Sequence, residues 1–336
     1  MHIVDAARLT ADEFVGALDL RQALDRAKDP DIPPTTSDEF RLLLTVDRTE
    51  NSEHDRIAAY ENGRAIAIGH LERTRDVANP TFAVLEIDAA DAEIPRTRPV
   101  LARLLDLAEA DGRTSILAWG ELNDARDTFW TSIGASRRQT ERDSDLHLDD
   151  VDADLMADWV DARWERASSV ELVAWSGEPP DEHFDAFVVT RNAMNDAPRD
   201  DIEVSDFVTT AEATSKEARA WTALGWDLHG LLAIEEDGSA VGMSNVMVNT
   251  HRPDASWQGD TVVLDQHRQR GVGRWLKAAM YFHVRENLPE LTRLRTGNAE
   301  SNDPMLAINV AMGYRPAHAS AGWQTDRSSL RAALTS

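Results

Sequence analysis

Residues 261–284, TVVLDQHRQRGVGRWLKAAMYFHV, contain the stretch that decides the fold. The β-branched run at 261–264 predicts a strand, and residues 272–284 predict a helix with one apolar face. Between them the loop at 268–273, RQRGVG, puts two glycines directly before the helix. Backbone N–H groups and the helix dipole favour phosphate at a helix N-terminus, and glycines let the main chain approach it. The stretch therefore predicts a pyrophosphate-binding strand–loop–helix unit.

Arginines surround this loop, in a chain whose formal net charge is −25. Arg268, Arg270 and Arg274 add positive charge against that background. A surface so acidic repels phosphate backbones and anionic lipid, so we expect neither nucleic acid nor a membrane as a partner. The acidity is compatible with attracting a cationic amine, and it also maintains solubility.

Length and composition indicate an ordinary globular protein of two domains. The chain has 336 residues, of which 42% are hydrophobic and 28% charged. It has no apolar run of about 20 residues that could span a membrane, and its N-terminus lacks the pattern of a secretory signal. We therefore expect a cytoplasmic protein. The sequence has no cysteine and no histidine pair at zinc-ligand spacing, so we expect no metal.

The two halves repeat the same order of elements. Residues 56–71 and 231–248 each predict a β-hairpin, with turns at Asn62-Gly63 and Asp237-Gly238. The two turn glycines are 175 positions apart. After each hairpin come a further strand, an amphipathic helix, another strand and a helix that ends in glycine. This order predicts a duplicated α/β domain.

The helix-ending glycines support the same division. Gly134 and Gly313 are 179 positions apart, close to the spacing of the turn glycines. An acidic, turn-rich stretch at 148–154 lies between the last strand of one half and the first helix of the next. We therefore predict domains at 1–148 and 149–336.

The second half resembles the GNAT superfamily of N-acetyltransferases. The family's R/Q-x-x-G-x-G/A loop matches Arg268, Gly271 and Gly273, and its closing Gly-Phe/Tyr pair matches Gly313-Tyr314. The resemblance implies two GNAT-like α/β (α+β) domains, each a mixed, mostly antiparallel sheet flanked by helices.

The resemblance also implies acetyl-CoA as a cosubstrate. The loop amides would bind its pyrophosphate, and backbone groups at 261–263 would pair with its pantetheine arm. The family's asparagine before the next-to-last helix matches Asn302, which would contact the same arm, while we expect Asp303 to cap that helix. The residues implied to contact acetyl-CoA are Thr261, Val262, Val263, Arg268, Gln269, Arg270, Gly271, Val272, Gly273, Arg274, Asn302 and Asn309.

The first half departs from the family at its phosphate loop. The equivalent stretch at 94–99, IPRTRP, has no glycine, and its two prolines lack the N–H groups that a phosphate needs. We therefore expect one acetyl-CoA site in the chain. The N-terminal domain would be structural, or would form a wall of the acceptor site.

The catalytic residues are less clear. Many GNAT enzymes have a tyrosine four residues before the closing glycine, which protonates the leaving thiolate. Here Asn309 stands at that position, and an amide donates hydrogen bonds but supplies no proton at neutral pH. Asp260 is a candidate base, or a turn or capping residue at the start of the strand. Asn298 is a candidate contact to the acetyl group or a turn residue.

The predicted function is transfer of an acetyl group from acetyl-CoA directly to an amine of a small molecule. One alternative is a mycothiol-synthase-like acetyltransferase, although that family is expected to keep the tyrosine that Asn309 replaces. Another is an acyl-CoA-binding sensor or scaffold without catalysis. The sequence allows either a monomer or a homodimer.

Overall fold

The computed structural model describes residues 1–47, 52–162 and 169–335, which form two compact units. Each unit is assembled from separate stretches of the chain. Unit 1 consists of Met1–Glu141, Arg199–Asp206 and His318–Ser336, and unit 2 of Arg142–Pro198 and Phe207–Ala317. The division at residue 148 therefore remains a prediction about the two repeats rather than a description of these units.

Unit 1 contains four helices before residue 142 and a fifth at the C-terminus. Its elements are β1 (His2–Asp5), α1 (Ala11–Lys28), α2 (Ser37–Thr45), β2 (Ser52–Glu61), β3 (Arg64–Thr74), β4 (Phe82–Asp88), α3 (Arg98–Ala110), β5 (Ser115–Glu121), α4 (Asp124–Ser132), β12 (Arg315–Asp326, from His318 onward) and α10 (Arg327–Thr335). Strand β6 (Ser136–His147) begins in unit 1 and continues into unit 2.

Unit 2 contains the C-terminal part of β6 followed by the second set of elements. These are α5 (Ala153–Asp161), β7 (Val170–Ser176), α6 (Phe184–Asn192), α7 (Ala211–Ala223), β8 (Trp226–Glu235), β9 (Ala240–Asn249), β10 (Trp257–Val263), α8 (Val272–Asn287), β11 (Arg293–Ala299) and α9 (Asp303–Met312). Among the described residues, no helix combines the length and apolar character needed to cross a membrane.

The sheet of unit 1 has the strand order β1-β2-β3-β4-β5-β12. Neighbouring strands are antiparallel except for β4 and β5, which pair in parallel over five residue pairs from Phe82–Ser115 to Glu86–Trp119. Helix α3 covers this sheet with an apolar face in which Leu101, Leu104 and Leu105 are fully buried. The predicted hairpin at Asn62-Gly63 is the β2/β3 connection, and both turn residues have positive φ.

The C-terminal strand completes the core of unit 1. Strand β12 pairs antiparallel with β5 from Ser320 to Asp326. Its Trp323 is fully buried, stacks on Trp130 at 6.1 Å between ring centroids, and donates from Nε1 to Asp127 Oδ1 at 2.9 Å. Unit 1 therefore depends on residues from the end of the chain.

The sheet of unit 2 has the order β6-β11-β10-β9-β8-β7 and carries helices on both faces. Because side chains alternate along a strand, its residues divide between two helical layers. On one face Leu232 of β8 packs with Phe187 of α6. On the other face its neighbour Ala233 packs with Leu276 of α8. The predicted second hairpin is the β8/β9 connection.

Substitution Trp323→Ala is expected to lower the free energy of unfolding by about 3–5 kcal/mol, because it removes a buried indole and leaves Asp127 without its donor. Urea unfolding measures the change. Arg315→Ala, at an exposed position of the same strand, is the control and should change stability by less than about 0.5 kcal/mol. Equal small losses in both variants would contradict a core role for β12.

Candidate functional site

Strands β10 and β11 separate almost as soon as they meet. They run parallel, and within the described chain their only registered residue pair is Trp257 with Arg295, next to a hydrogen bond of 3.0 Å from Arg295 N to Ser256 O. Beyond that point the strands diverge and leave a gap, which we call the strand gap, between residues 258–263 and 296–299. The corresponding strands β4 and β5 of unit 1 stay paired over five positions, so unit 1 has no such gap.

The edge of β10 that faces the strand gap presents backbone groups of Thr261 and Val263. Leu264 N donates to Val241 O, and backbone direction alternates along a strand, so groups of Val262 and Leu264 point toward β9. Thr261 and Val263 consequently point their backbone groups the other way. One of these is used within the protein, because Arg268 Nε donates to Val263 O at 2.9 Å.

A β-bulge lies beside the gap. Two residues of β10, Gly259 and Asp260, stand opposite one residue of β9, Asn245. The Asn245 side chain fills the bulge, and its Oδ1 accepts from Asp260 N at 3.1 Å. A Cβ atom on Gly259 would lie 2.2 Å from this oxygen, so glycine is needed there. The bulge fixes the backbone from which the Asp260 side chain projects.

The loop between β10 and α8 turns sharply and leads into the first backbone N–H groups of α8, which have no acceptor within the helix. Gln269 and Gly271 have φ angles of 61° and 82°, and Gly271 is the N-cap of α8. Left-handed residues in a loop of this kind direct successive N–H groups toward one point. The first bond of the helix is Trp275 N to Gly271 O, and no side chain caps the helix. The N–H groups of residues 272–274 therefore have no acceptor within the helix.

The three loop arginines have different surroundings. Arg268 is paired with Asp196 at 2.9 Å and with Asp265. Arg274 lies over the Trp159 ring, 5.6 Å from its centroid, and Arg270 is exposed. Arg270 and Arg274 are accordingly the side chains most easily turned toward an anion at the loop.

Helices α8 and α9 pack closely behind the loop. A Cβ atom on Gly273 would lie 3.4 Å from Ile308 Cδ1 and 3.8 Å from Val263 Cγ2, so the start of α8 sits between β10 and α9. Helix α9 is capped by Asn302, whose Oδ1 accepts from Met305 N at 3.4 Å. The expectation that Asp303 is the cap was wrong, since Asp303 is the first helical residue.

One turn further along both helices lies a buried polar chain formed by Lys277, Asn309 and Asn298. Lys277 Nζ donates to Asn309 Oδ1 at 2.6 Å, and Asn309 Nδ2 donates to Asn298 Oδ1 at 2.7 Å. Lys277 is 1% exposed and Asn309 2% exposed, whereas Asn298 is half-buried on the diverging part of β11. The chain thus connects the helix interior with the strand gap.

Burial also shifts the protonation of this region. Desolvation lowers the pKa of Lys277 from its ordinary value of 10.5 to about 7. Tyr314, whose ring centroid lies 4.8 Å from Lys277 Nζ, is buried as well. Burial, followed by the charge of Asp145, raises the pKa of the Tyr314 phenol, so it stays neutral.

A pocket of about 130 Å³ lies on the opposite face of the sheet, against α6 and α7. Its walls are mostly apolar and include Trp221 and Trp226, whose rings are 6.0 Å apart in an edge-on contact. The polar lining includes three charged side chains, among which Arg191 contacts both Asp260 and Glu217. One arginine between two carboxylates leaves a formal charge of −1 in this part of the pocket.

Asp260 is therefore held in an ion pair. Arg191 donates to its carboxylate, and the charge of Asp260 raises the pKa of Arg191. The ion pair holds the Asp260 carboxylate in place at the pocket wall.

The structure brings most of the predicted residues together. Thr261–Val263, the 268–274 loop, Asn298, Asn302 and Asn309 surround the strand gap, and Asp260 faces the pocket on the other side of the sheet. Sequence reasoning missed Lys277, Arg191 and Glu217. A signal existed for Lys277, because it lies within the apolar stripe of α8 in a chain with only three lysines.

Comparison with known proteins agrees with this geometry. Residues 198–314 match the model of the Acetyltransferase (GNAT) family. This match covers about a third of the chain, and the chain as a whole shares the fold of a tandem GNAT protein. Among curated proteins no significant sequence match was found.

Several solved structures share the tandem GNAT fold. A tandem GNAT protein from the clavulanic acid biosynthesis pathway is 24% identical, with 97% of both chains covered and a TM-score of 0.73. A GCN5-related N-acetyltransferase from Sphaerobacter thermophilus is 13% identical, with 97% of this chain and 95% of that one covered and a TM-score of 0.64. At these identities the likeness concerns the fold.

Substitution Lys277→Met is expected to stabilise the protein by about 1–4 kcal/mol at pH 7, since it replaces a buried ammonium with an apolar side chain of similar length. The folded-state pKa of Lys277 lies below its unfolded value, so the unfolded chain binds this proton more strongly between pH 7 and 10.5. Stability of the native protein therefore rises with pH across this range, and the advantage of the methionine variant shrinks.

Urea unfolding at pH 7 and pH 9.5 tests this pH dependence. Lys28→Met, at an exposed position near the end of α1, is the control and should show no such trend. A Lys277→Met variant that is less stable than the native protein at both pH values would show that the buried ammonium is a net stabilising group.

Proposed function

We propose that the protein is an N-acetyltransferase that moves an acetyl group from acetyl-CoA to an amine of a small molecule. The observation that carries this proposal is the strand gap of unit 2 together with the uncapped N-terminus of α8. Both offer unpaired backbone groups to one extended ligand that carries a pyrophosphate at one end and amides along its length.

The residues around the gap fit acetyl-CoA. In the proposed complex, the amides of Gln269–Gly273 and the N–H groups at 272–274 bind the pyrophosphate, aided by Arg270 and Arg274. Backbone groups of Thr261 and the N–H of Val263 pair with the pantetheine arm. Arg268 donates a hydrogen bond to Val263 O and so links the loop to the end of β10. Asn302 and Asn309 line the α9 side of the gap.

The acceptor amine is proposed to bind in the pocket at α6 and α7. Asp260 and Glu217 outnumber Arg191 there, so the pocket attracts a cationic amine and repels an additional carboxylate. The apolar wall around Trp221 and Trp226 accepts a hydrocarbon or ring portion of the same molecule. Because Asp260 and Thr261 are neighbours in β10, this pocket borders the gap from the other face of the sheet.

Acetyl-CoA supplies an acyl group activated as a thioester. The neutral amine forms an N–C bond to the acyl carbon, the C–S bond breaks, and sulfur leaves with the electron pair. The proton lost from nitrogen reaches solvent, and the thiolate takes one from solvent. The protein's contribution is to orient the amine and to stabilise charge on the departing group.

Two other functions follow from specific observations. A sensor that binds acyl-CoA without turnover is favoured by Asn309, which supplies no proton, and by the engaged state of Asp260. A mycothiol-synthase-like enzyme is favoured by the tandem fold alone. Cytoplasmic location and the choice between monomer and homodimer remain predictions.

The cofactor site is tested with Gly271→Val, which puts a β-branched side chain at a φ of 82° and so distorts the phosphate loop. Acetyl-CoA affinity measured by calorimetry should fall at least tenfold. Gly238→Val is a matched control, because Gly238 has a φ of 83° and equally open surroundings in the β8/β9 turn. Unchanged affinity in Gly271→Val would place the phosphate site elsewhere.

The acceptor site is tested with Glu217→Gln, which removes one of the two carboxylates beside Arg191. With amines as substrates, KM should rise by about 3- to 30-fold while acetyl-CoA affinity stays the same. Glu212→Gln, at an exposed position of the same helix, should leave KM unchanged. The proposed pocket would be refuted by equal KM values for the native protein and Glu217→Gln.

A further inference from the structure

The Lys277–Asn309–Asn298 chain contains a buried cation that packing alone does not require. Among the described residues, no carboxylate lies within ion-pair distance of Lys277, whose contacts are Asn309 Oδ1 and the Tyr314 ring. Burial of an ammonium with a single hydrogen-bond acceptor is costly, and an aliphatic side chain would fill the same space without that cost. A cost of this kind is typical of functional sites.

The ammonium fixes the orientation of the next side chain. In its ammonium form Lys277 has three N–H donors and no acceptor, so Asn309 then turns its carboxamide oxygen toward Nζ. Its Nδ2 then faces Asn298, which in turn must present Oδ1. The charge of Lys277 thereby decides which way both carboxamides point. Their remaining N–H groups are the donors at the end of the chain.

Those donors lie beside the strand gap, where acetyl-CoA is proposed to bind. Strands β10 and β11 are parallel with Trp257 opposite Arg295, and Asp260 and Asn298 each lie three residues further along their own strand, on the two sides of the strand gap. Asp260 borders the proposed acceptor pocket, and Asn309 lies on the α9 side of the gap. The carboxamides of Asn298 and Asn309 therefore lie on the β11 and α9 side of the strand gap, whereas the proposed acceptor pocket borders β10.

We propose that Lys277 is a positioning residue: through the Asn309 and Asn298 carboxamides it directs hydrogen-bond donors and positive charge at the sulfur of coenzyme A and stabilises the departing thiolate. This inference rests on the proposed acetyl transfer. Asn309 cannot protonate the leaving group. If the thiolate is stabilised in this way, no acid is needed, because the thiolate leaves without being protonated first.

Other charged groups near Lys277 do not take over this role. The adjacent Tyr314 phenol is neutral. Asp145 forms ion pairs with both Arg293 and Arg295 of β11. Within the described part of the chain, Lys277 is therefore the charge that acts on the Asn309 carboxamide.

The test uses coenzyme A itself, so no acceptor has to be known. Coenzyme A is bound to the full-length protein, and its thiolate is titrated by ultraviolet absorbance. At pH 7 the bound thiolate fraction should be at least fivefold higher than that of free coenzyme A. In Lys277→Met it should return to within about twofold of the free value, while coenzyme A affinity changes by less than about threefold.

Two further variants separate charge from structure. Lys277→Gln keeps a donor without the charge and should give an intermediate thiolate fraction. Asn309→Leu should return the thiolate fraction of bound coenzyme A to the free value. The double variant Lys277→Met/Asn309→Leu should lower that fraction no further, because the lysine acts through Asn309. Additive losses would contradict that route. Lys28→Met, at an exposed site, should behave as the native protein.

The outcomes distinguish this inference from the function on which it rests. If coenzyme A binds and its thiol titrates alike in the native protein and Lys277→Met, the role of Lys277 is wrong while the cofactor site stands. If coenzyme A and acetyl-CoA do not bind at all, both proposals fail. A raised thiolate fraction that depends on Lys277 and on Asn309 supports the positioning role.

Discussion

The second half of this protein is organised around an incomplete sheet. Strands β10 and β11 form one residue pair and then diverge, so backbone groups of Thr261 and Val263 lack a neighbouring strand. Polar backbone groups need partners, and an extended ligand with its own amides can take the place of the absent strand. In unit 1 the corresponding strands remain paired, and the loop after them is rich in proline. The strand gap and the phosphate loop are therefore present together or absent together.

The same gap separates two chemical environments. On the α6/α7 face, Arg191 holds Asp260 and Glu217 at a pocket with tryptophan walls. On the α9 side, Lys277 and Asn309 are buried and form a hydrogen-bonded chain with Asn298. Under the proposed function, an amine would meet carboxylates where it enters, and the leaving sulfur would meet N–H donors. Attraction of a cation and stabilisation of an anion would then occur on opposite sides of one sheet, where the two charges do not cancel.

Local signals in the sequence were enough for the elements and for the phosphate loop. The turns at Gly63 and Gly238 and the left-handed Gly271 follow from rules that act over a few residues. The duplication and the GNAT fold were also predicted correctly. Contacts between distant segments were not predictable in this way. Arg191 reaches Asp260 across 69 positions, and Lys277 reaches Asn309 across 32, so their roles depend on how helices pack. The assignment of each residue to acetyl-CoA remains a prediction.

The placement of β12 and α10 has a consequence for how the protein is made. Unit 1 contains the first 141 residues, yet its sheet is completed only by residues from His318 onward. While the ribosome synthesises the chain, the outer edge of β5 and the cavity for Trp323 stay open until residues 318–326 have been made. The usual order, in which an N-terminal domain folds as soon as it emerges, does not hold here. The earliest part of the polypeptide closes its core only after unit 2 has been synthesised.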